Sequence, residues 1–352
     1  MKVLIVVGAR PNFIKIAPLM EEFKKYRRIK PILVHTGQHY DYEMSQVFFQ
    51  DFNIPKPNYN LMVGSRSHAC QTAKIMDKLE GVVLRERPDN IVVLGDVNST
   101  LAGALVAAKL NIPVAHIEAG LRSYNKIMPE EINRLLTDHI SRFLFCPTDN
   151  AVRNLTKEGI EKGVYNVGDI MYDNLINSES KIRNSKLLDK LKLKPRQYLL
   201  LTVHRAANTD DLANLRGIIT AIGKSGEKVI FPIHPRTKKQ LKKIKLPKFD
   251  NLEVIKPVNY LDMLVLEKNA RKILTDSGGV QKEAYWLKVP CITLRNETEW
   301  VETIKSGWNI LVGANEDKIL KAIRKFDPRG KRKKYFGRGN TAKRIVKFLN
   351  EK

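Results

Sequence analysis

Short apolar runs alternate along the chain with longer stretches in which apolar residues recur at helical spacing. The runs are rich in β-branched residues, as are strands buried on both faces of a parallel sheet. Strands and helices in regular alternation predict an α/β fold. The predicted strands form two series, at residues 3–7, 32–36, 90–94, 114–117, 143–147 and 165–167, and at residues 198–203, 228–232, 252–255, 272–275, 291–293 and 309–312. Two series indicate two parallel sheets and therefore two domains.

A polar, Lys-rich stretch at residues 177–196 lacks apolar periodicity, and we interpret it as a linker. It separates an N-terminal Rossmann-like domain at residues 1–176 from a C-terminal one at residues 197–339. Residues 340–352 have an i, i+3, i+4, i+7 apolar stripe, which predicts a closing helix that could pack back on the N-terminal domain. The residues of that stripe are Ala342, Ile345, Val346 and Leu349.

The charge of the chain is strongly positive, with 62 Lys and Arg against 37 Asp and Glu among 352 residues, a formal net charge of +25. A basic surface attracts phosphates, so nucleic acid is one candidate partner. Much of the positive charge is localised in residues 321–352 and 237–249, and neither stretch has the interleaved aromatic residues or the helix-turn-helix pattern of nucleic-acid-binding modules. We therefore expect no nucleic-acid partner and a general attraction for anionic ligands.

The length of the apolar runs and the cysteine pattern indicate in which cellular compartment the protein is expected. No run approaches the roughly 20 residues that span a bilayer, and the N-terminal run is too short for a signal peptide, so we expect no membrane insertion. The three cysteines, Cys70, Cys146 and Cys291, are odd in number and far apart. This pattern favours neither disulfides nor a metal site. A cytoplasmic protein without a bound metal is expected.

Three carboxylates follow predicted strands or open a helix in the N-terminal half. Asp96 and Glu118 come directly after neighbouring strands, and Glu130 opens a helix on which Arg134 stands four residues later. Asp96 alone could be a helix cap, and Glu130 with Arg134 could be a surface salt bridge. Because strand ends of a parallel sheet share one rim, the three together predict an acid/base site.

Anion-binding residues follow strands in both halves. Arg10 and Lys15 flank the turn and helix start after the first strand, and they could also be ordinary surface bases. In the second half, His204 ends an apolar strand. Backbone amides of a Ser-Gly-Gly helix start can bind a diphosphate, and Glu283, further along that helix, can bind ribose hydroxyls. That helix start consists of Ser277, Gly278 and Gly279.

These segments together resemble the non-hydrolysing UDP-N-acetylglucosamine 2-epimerases over about residues 1–315. The matching motifs are GARPNFIK, TGQHYD, GDVNST, HIEAGLRS, MPEEINR, NVGD, TVHR, PIHPRT and TDSGGVQKEA. The resemblance implies a glycosyltransferase B-type fold, in which two Rossmann-like domains face a central cleft and the C-terminal domain holds UDP.

The resemblance further implies reversible inversion at C2 between UDP-N-acetylglucosamine and UDP-N-acetylmannosamine, through anti elimination of UDP to a 2-acetamidoglucal and re-addition. No cofactor is implied, and a homodimer is expected. The implied catalytic residues are Asp96, Glu118, Glu130 and His204. The implied substrate-binding residues are Arg10, Lys15, Arg134, Ser277, Gly278, Gly279 and Glu283. Gln38, His39 and Arg205 match parts of a second, allosteric site of bacterial members.

The sequence departs from the family pattern at three places. Ala206 and Ala207 follow His-Arg where the family commonly has Arg-Glu, Trp300 replaces a substrate-binding arginine, and Met263 stands where some members have an aromatic residue. Three alternatives stay open beside the epimerase. They are a hydrolysing 2-epimerase that releases UDP, a UDP-sugar glycosyltransferase of the same fold, and a non-catalytic nucleotide-sugar- or RNA-binding protein.

Overall fold

The computed structural model describes residues 1–38, 49 and 52–351. These residues form two compact units, one comprising Met1–Asn177 with Lys334–Lys352 and the other Ser178–Lys333. Each unit is built on its own parallel sheet. None of the helices in this described part is long and apolar enough to cross a membrane.

The first unit has a seven-stranded sheet in the order β3-β2-β1-β4-β5-β6-β7, with every pair parallel. Its strands are β1 (Lys2–Val7), β2 (Lys30–His35), β3 (Tyr59–Asn60), β4 (Asn90–Leu94), β5 (Val114–Ile117), β6 (Phe143–Cys146) and β7 (Val164–Asn166). Its helices are α1 (Arg10–Phe23), α2 (His68–Glu86), α3 (Asn98–Lys109), α4 (Pro129–Ile140), α5 (Asp149–Lys157) and α6 (Ile170–Asn177), with the C-terminal helix Thr341–Glu351.

The second unit has a six-stranded sheet in the order β10-β9-β8-β11-β12-β13, again parallel throughout. Its strands are β8 (Leu199–Thr202), β9 (Val229–Pro232), β10 (Leu252–Ile255), β11 (Lys272–Thr275), β12 (Cys291–Thr293) and β13 (Asn309–Leu311). Its helices are α7 (Glu179–Arg183), α8 (Leu187–Lys190), α9 (Ala206–Thr209), α10 (Leu212–Lys224), α11 (Pro235–Leu241), α12 (Tyr260–Asn269), α13 (Gly278–Trp286), α14 (Val301–Lys305) and α15 (Glu316–Lys325). The C-terminal helix of the first unit is α16.

Both faces of each sheet are covered by apolar side chains. On β1, Val3, Ile5 and Val7 pack into one core, while Leu4 and Val6 pack into another on the opposite face. The second sheet likewise separates two cores on its two faces. Burial on both faces explains why the strands have continuous apolar runs rather than alternating patterns.

All twelve predicted strands coincide with observed strands, which confirms the parallel α/β architecture. The sequence pattern missed β3, because a strand of two residues leaves no apolar run. We interpreted residues 177–196 as a linker. Asn177 ends α6 of the first unit, whereas residues 178–196 contain α7 and α8 and belong to the second unit, and residues 334–339 belong to the first.

Helix α16 closes the first unit against α1 and α6. Its apolar stripe is buried, and its Ala342 N–H donates to the Asp173 carboxylate at 2.8 Å. Burial raises the pKa of Asp173, and the bonds from the start of α16 oppose that shift.

Candidate active site

Asp96 follows β4 and is held by Arg134 of α4. The Asp96 carboxylate accepts a hydrogen bond from the buried Arg134 guanidinium, while its own side chain is 29% exposed. Arg134 also donates to Glu131 at 2.8 Å. The Asn133 side chain donates to the Asp96 carbonyl at 2.9 Å, so α4 fixes both the backbone and the side chain of this strand end.

Glu118 follows β5 and is paired with Lys15 of α1, and both side chains are less than a tenth exposed. The backbone of Glu118 has φ +75°, a left-handed conformation that costs energy for a residue with a side chain and often marks a functional position. Gly95 lies against this ion pair with φ +65°. A Cβ there would be 2.9 Å from Lys15 Nζ and 3.4 Å from Glu118 Oε2. The ends of β4 and β5 therefore meet at this ion pair.

Glu130 lies in the first turn of α4 and is half-buried. The alternative of a surface salt bridge between Glu130 and Arg134 is not found in the described structure, because Arg134 pairs with Glu131 and Asp96 instead. Within the described residues, Glu130 forms no hydrogen bond or ion pair. Of the three carboxylates of Asp96, Glu118 and Glu130, that of Glu130 is the one without a paired cation among the described residues.

Glu131 was not predicted as a site residue, yet it organises the loop that leads to Glu130. Its buried carboxylate accepts bonds from the backbone amides of Ser123 and Tyr124 and from the Ser123 hydroxyl. The i, i+3 spacing of Glu131 and Arg134 was the available signal.

A second ionic network lies buried beneath these strand ends. Arg122 donates to Asp138 and to Glu158, both at 2.6 Å, and His116 lies 2.7 Å from Asp138. Burial alone would raise the pKa of Asp138, but the charges and hydrogen bonds of His116 and Arg122 lower it overall. Asp138 is therefore held as a carboxylate.

Gln38 and His39 are the residues of the first unit that we matched to a second site, and the structure describes Gln38. Its side-chain oxygen accepts bonds from the Ser99 amide at 3.0 Å and the Ser99 hydroxyl at 2.7 Å, at the start of α3. Arg10 begins α1, but its side chain lies outside the described structure, as does all of His39.

His204 and Arg205 follow β8 in the second unit, around the buried carboxylate of Asp276. That carboxylate accepts bonds from both backbone amides at 3.0 Å and from the Asn208 side chain at 3.2 Å. The His204 ring lies 5.5 Å from the His234 ring and its side chain is 40% exposed. Asp276 thus fixes the strand end and leaves the imidazole accessible. Ala206 and Ala207, at one departure from the family, lie exposed in α9.

The Ser-Gly-Gly helix start forms the N-terminus of α13. Ser277 is the N-cap and accepts from the Val280 amide, while Gly278 and Gly279 open the helix. A Cβ on Gly278 would lie 2.5 Å from Glu299 Oε1 and 3.2 Å from Trp300 Nε1, so a larger residue would have to displace the Glu299 carboxylate. The first amides of a helix have no intrahelical acceptor and can bind an anion.

Glu283 lies further along α13, is buried, and accepts a hydrogen bond from the Tyr260 hydroxyl at 2.7 Å. Glu267, on the same helix as Tyr260, is fully buried. Neither of its carboxyl oxygens has a hydrogen-bond partner within the described part of the chain. Burial, and then the charge of Glu283, raise the pKa of Glu267 well above its usual range. The sequence pattern gave no signal for this pair.

Two further groups support the start of α13. Glu299 lies 3.0 Å from Arg295 and 3.6 Å from Arg205. Trp300 stands where the family has a substrate-binding arginine. The buried Lys282 ammonium lies 4.0 Å from the centroid of the Trp300 indole ring, which is a cation–π contact. Met263 packs against the apolar core of the second unit.

Each of the two parallel sheets carries charged and polar side chains beyond the carboxyl ends of its strands, where ligands bind in α/β proteins. These features define the class of two-sheet α/β proteins with the glycosyltransferase B-type fold. A structure of UGT2 from Phytolacca americana with UDP-2fluoro-glucose and pterostilbene has this fold. It matches with a TM-score of 0.60 at 12% identity over 99% of this chain and 93% of that one, and it bears on the fold alone.

Comparison with known proteins defines the family. The family model described as UDP-N-acetylglucosamine 2-epimerase matches residues 21–350. A UDP-N-acetylglucosamine 2-epimerase homolog of Methanococcus maripaludis is 56% identical over 356 residues, 99% of each chain. The UDP-2,3-diacetamido-2,3-dideoxy-D-glucuronate 2-epimerase of Pseudomonas aeruginosa is 42% identical over 359 residues, 99% of each chain.

The crystal structure of Methanocaldococcus jannaschii UDP-GlcNAc 2-epimerase in complex with UDP-GlcNAc and UDP matches with a TM-score of 0.94 at 45% identity, covering all of both chains. The chain therefore belongs to the UDP-N-acetylglucosamine 2-epimerase family.

Proposed function

We propose that this protein interconverts UDP-N-acetylglucosamine and UDP-N-acetylmannosamine by inversion at C2, and that UDP returns to the sugar after the reaction. One observation carries the proposal. Asp96 and Glu118, at neighbouring strand ends, are each paired with a cation in a chain of this family. Acid/base work at one carbon requires two groups that reach opposite faces of the sugar ring.

The C2 proton is not beside a carbonyl, so direct removal is difficult. A carboxylate instead takes the C2 proton while the bond from C1 to the diphosphate oxygen breaks. The electron pair of that C1–O bond leaves with UDP, and a 2-acetamidoglucal forms. Protonation of C2 on the other face and attack of the diphosphate oxygen on C1 then give the epimer. Asp96, Glu118 and Glu130 are the proposed proton carriers, beside Lys15 and Arg134.

The second unit would bind the nucleotide. Charge develops on the diphosphate as the C1–O bond breaks, and preorganised donors stabilise it. The accessible imidazole of His204 and the first amides of α13, at Gly278 and Gly279, are the proposed donors. Glu283, held by Tyr260, is the proposed acceptor for the ribose hydroxyls.

Proton and phosphorus NMR of the purified protein with UDP-N-acetylglucosamine alone tests the proposal. We expect UDP-N-acetylmannosamine to accumulate to an equilibrium mixture while phosphorus stays in the sugar diphosphate. Free N-acetylmannosamine with UDP would instead identify a hydrolysing epimerase. An unchanged spectrum would favour a transferase that lacks its acceptor or a non-catalytic binding protein.

A second candidate substrate follows from the Pseudomonas aeruginosa relative, which is named for a 2,3-diacetamido glucuronate and is 42% identical over 99% of this chain. Where the family's substrate-binding arginine is absent, this chain has Trp300 backed by Lys282. C2 inversion is the same chemistry on either sugar. Comparing kcat/KM for the two UDP-sugars decides between them. A kcat/KM that is more than about 100 times higher for one sugar would identify that sugar as the physiological substrate class.

A further inference from the structure

His116 belongs to the buried network beneath the catalytic carboxylates, and the chemistry above does not use it. Its ring is fully buried in β5, and both nitrogens are bonded. Nδ1 lies 2.7 Å from an Asp138 oxygen, and Nε2 lies 2.8 Å from the Gly95 carbonyl oxygen. One side chain therefore connects β4, β5 and α4.

The partners of His116 dictate its protonation. A backbone carbonyl only accepts hydrogen bonds, so Nε2 must carry a proton. The Asp138 carboxylate also accepts from the Gly120 amide at 3.0 Å and from Arg122 at 2.6 Å. An ionised carboxylate is an acceptor too, so Nδ1 must also carry a proton. Two donating nitrogens make the ring an imidazolium.

The charges that face His116 balance when it is an imidazolium. Asp138 and Glu158 supply two negative charges, and Arg122 and His116 supply two positive ones. The neighbouring Cys146 thiol is neutral, because burial, and then the charge of Asp138, raise its pKa. Three of these four side chains are buried, whereas that of Glu158 is 24% exposed, so solvent also screens its charge.

The hydrogen bond from His116 to the Gly95 carbonyl places the positive charge of His116 beneath the proposed catalytic residues. Gly95 precedes Asp96, its amide donates to the Ile117 carbonyl at 3.0 Å, and its Cα faces the Lys15–Glu118 pair. Glu118 is two residues beyond His116 on the same strand end. A charge-assisted bond is stronger than a neutral one, so the imidazolium can fix the β4 end relative to the β5 end.

We propose that His116 is a positioning residue that stays an imidazolium at neutral pH and, by holding the Gly95 carbonyl, fixes Asp96 relative to Glu118. The catalytic part of this inference rests on the proposed function. The protonation state and the backbone restraint do not.

The test uses the full chain with nitrogen-15 in its histidines and compares His116→Gln with His139→Gln, an exposed histidine on α4. We expect two protonated nitrogens for His116 at pH 7, in a signal that His116→Gln removes and His139→Gln leaves unchanged. Hydrogen exchange at the Gly95 amide should accelerate at least about tenfold in His116→Gln only. Its kcat should fall about 10- to 100-fold with KM unchanged, as for a small misplacement of a catalytic group.

A neutral His116 ring at pH 7 in the wild-type protein would overturn the inference even if the variant failed to fold. Unchanged Gly95 exchange, or wild-type kcat in His116→Gln, would overturn it as well. An inactive wild-type protein whose His116 is an imidazolium and whose Gly95 exchange responds would reject the proposed function and support the restraint.

Discussion

Replacing Gly95 with alanine should separate catalysis from stability. Gly95 has φ +65°, and a left-handed alanine costs about 1–2 kcal/mol. The new Cβ would be 2.9 Å from Lys15 Nζ and 3.4 Å from Glu118 Oε2. The flexible Lys15 ammonium must therefore move by a few tenths of an ångström. The steric contribution to stability is small, but the displacement falls on the ion pair that orients Glu118.

Gly159→Ala is the matched control, since Gly159 has φ +77° in the same unit and no atom within 4 Å of its added Cβ. Both variants should lose about 1–2 kcal/mol of unfolding free energy in urea denaturation. Only Gly95→Ala should lose activity, by about 10- to 100-fold in kcat, or about 1.4–2.7 kcal/mol of transition-state stabilisation. Equal epimerase rates for the two variants would refute the assignment of the Lys15–Glu118 pair to the active site.

Three other predictions concern carboxylates of the two units. Replacing each of the three proposed proton carriers by its neutral amide should lower turnover by roughly 10²- to 10⁴-fold and leave UDP affinity nearly unchanged. The variants are Asp96→Asn, Glu118→Gln and Glu130→Gln. Glu283→Ala should weaken UDP binding in calorimetric titration by about 1–3 kcal/mol, because two ribose hydroxyls lose their acceptor. Glu267→Gln should flatten the pH dependence of stability. The raised pKa of Glu267 makes the folded state bind more protons, so wild-type stability falls as pH rises from about 4.3, the unfolded value, through the raised folded value.

For each of these three predictions, a specific result would contradict the reasoning. Normal turnover in the three carboxylate variants would reject the catalytic assignment while leaving the family intact. Unaltered UDP affinity in Glu283→Ala would place the ribose elsewhere. Parallel stability curves from pH 4 to 9 for the wild type and Glu267→Gln would show that Glu267 is ionised without cost.

The fold was predictable because its signal is local. Most strands are continuous apolar runs with polar residues directly after them, so both the sheets and the strand ends that carry Asp96, Glu118 and His204 follow from the pattern. The exception, β3, is too short to have a pattern.

The partners at the site were less predictable, because tertiary packing chooses them. Helical spacing allowed Arg134 to pair with either Glu130 or Glu131, and the position of Asp96 beside α4 selects Glu131. His116 and Asp138 are 22 residues apart and meet only once β5 and α4 pack. Glu267 sits in an apolar stretch of α12, where nothing local reveals that it approaches Glu283.

The most direct test of the central claim is the reaction in heavy water, followed by proton NMR from the first turnovers. Elimination and re-addition require that the C2 proton leaves and that solvent supplies its replacement. We predict that UDP-N-acetylmannosamine formed from UDP-N-acetylglucosamine carries deuterium at C2 from the outset, and that re-formed UDP-N-acetylglucosamine acquires it too. An epimer that retains the original proton at C2 would contradict the proposed acid/base roles of Asp96, Glu118 and Glu130.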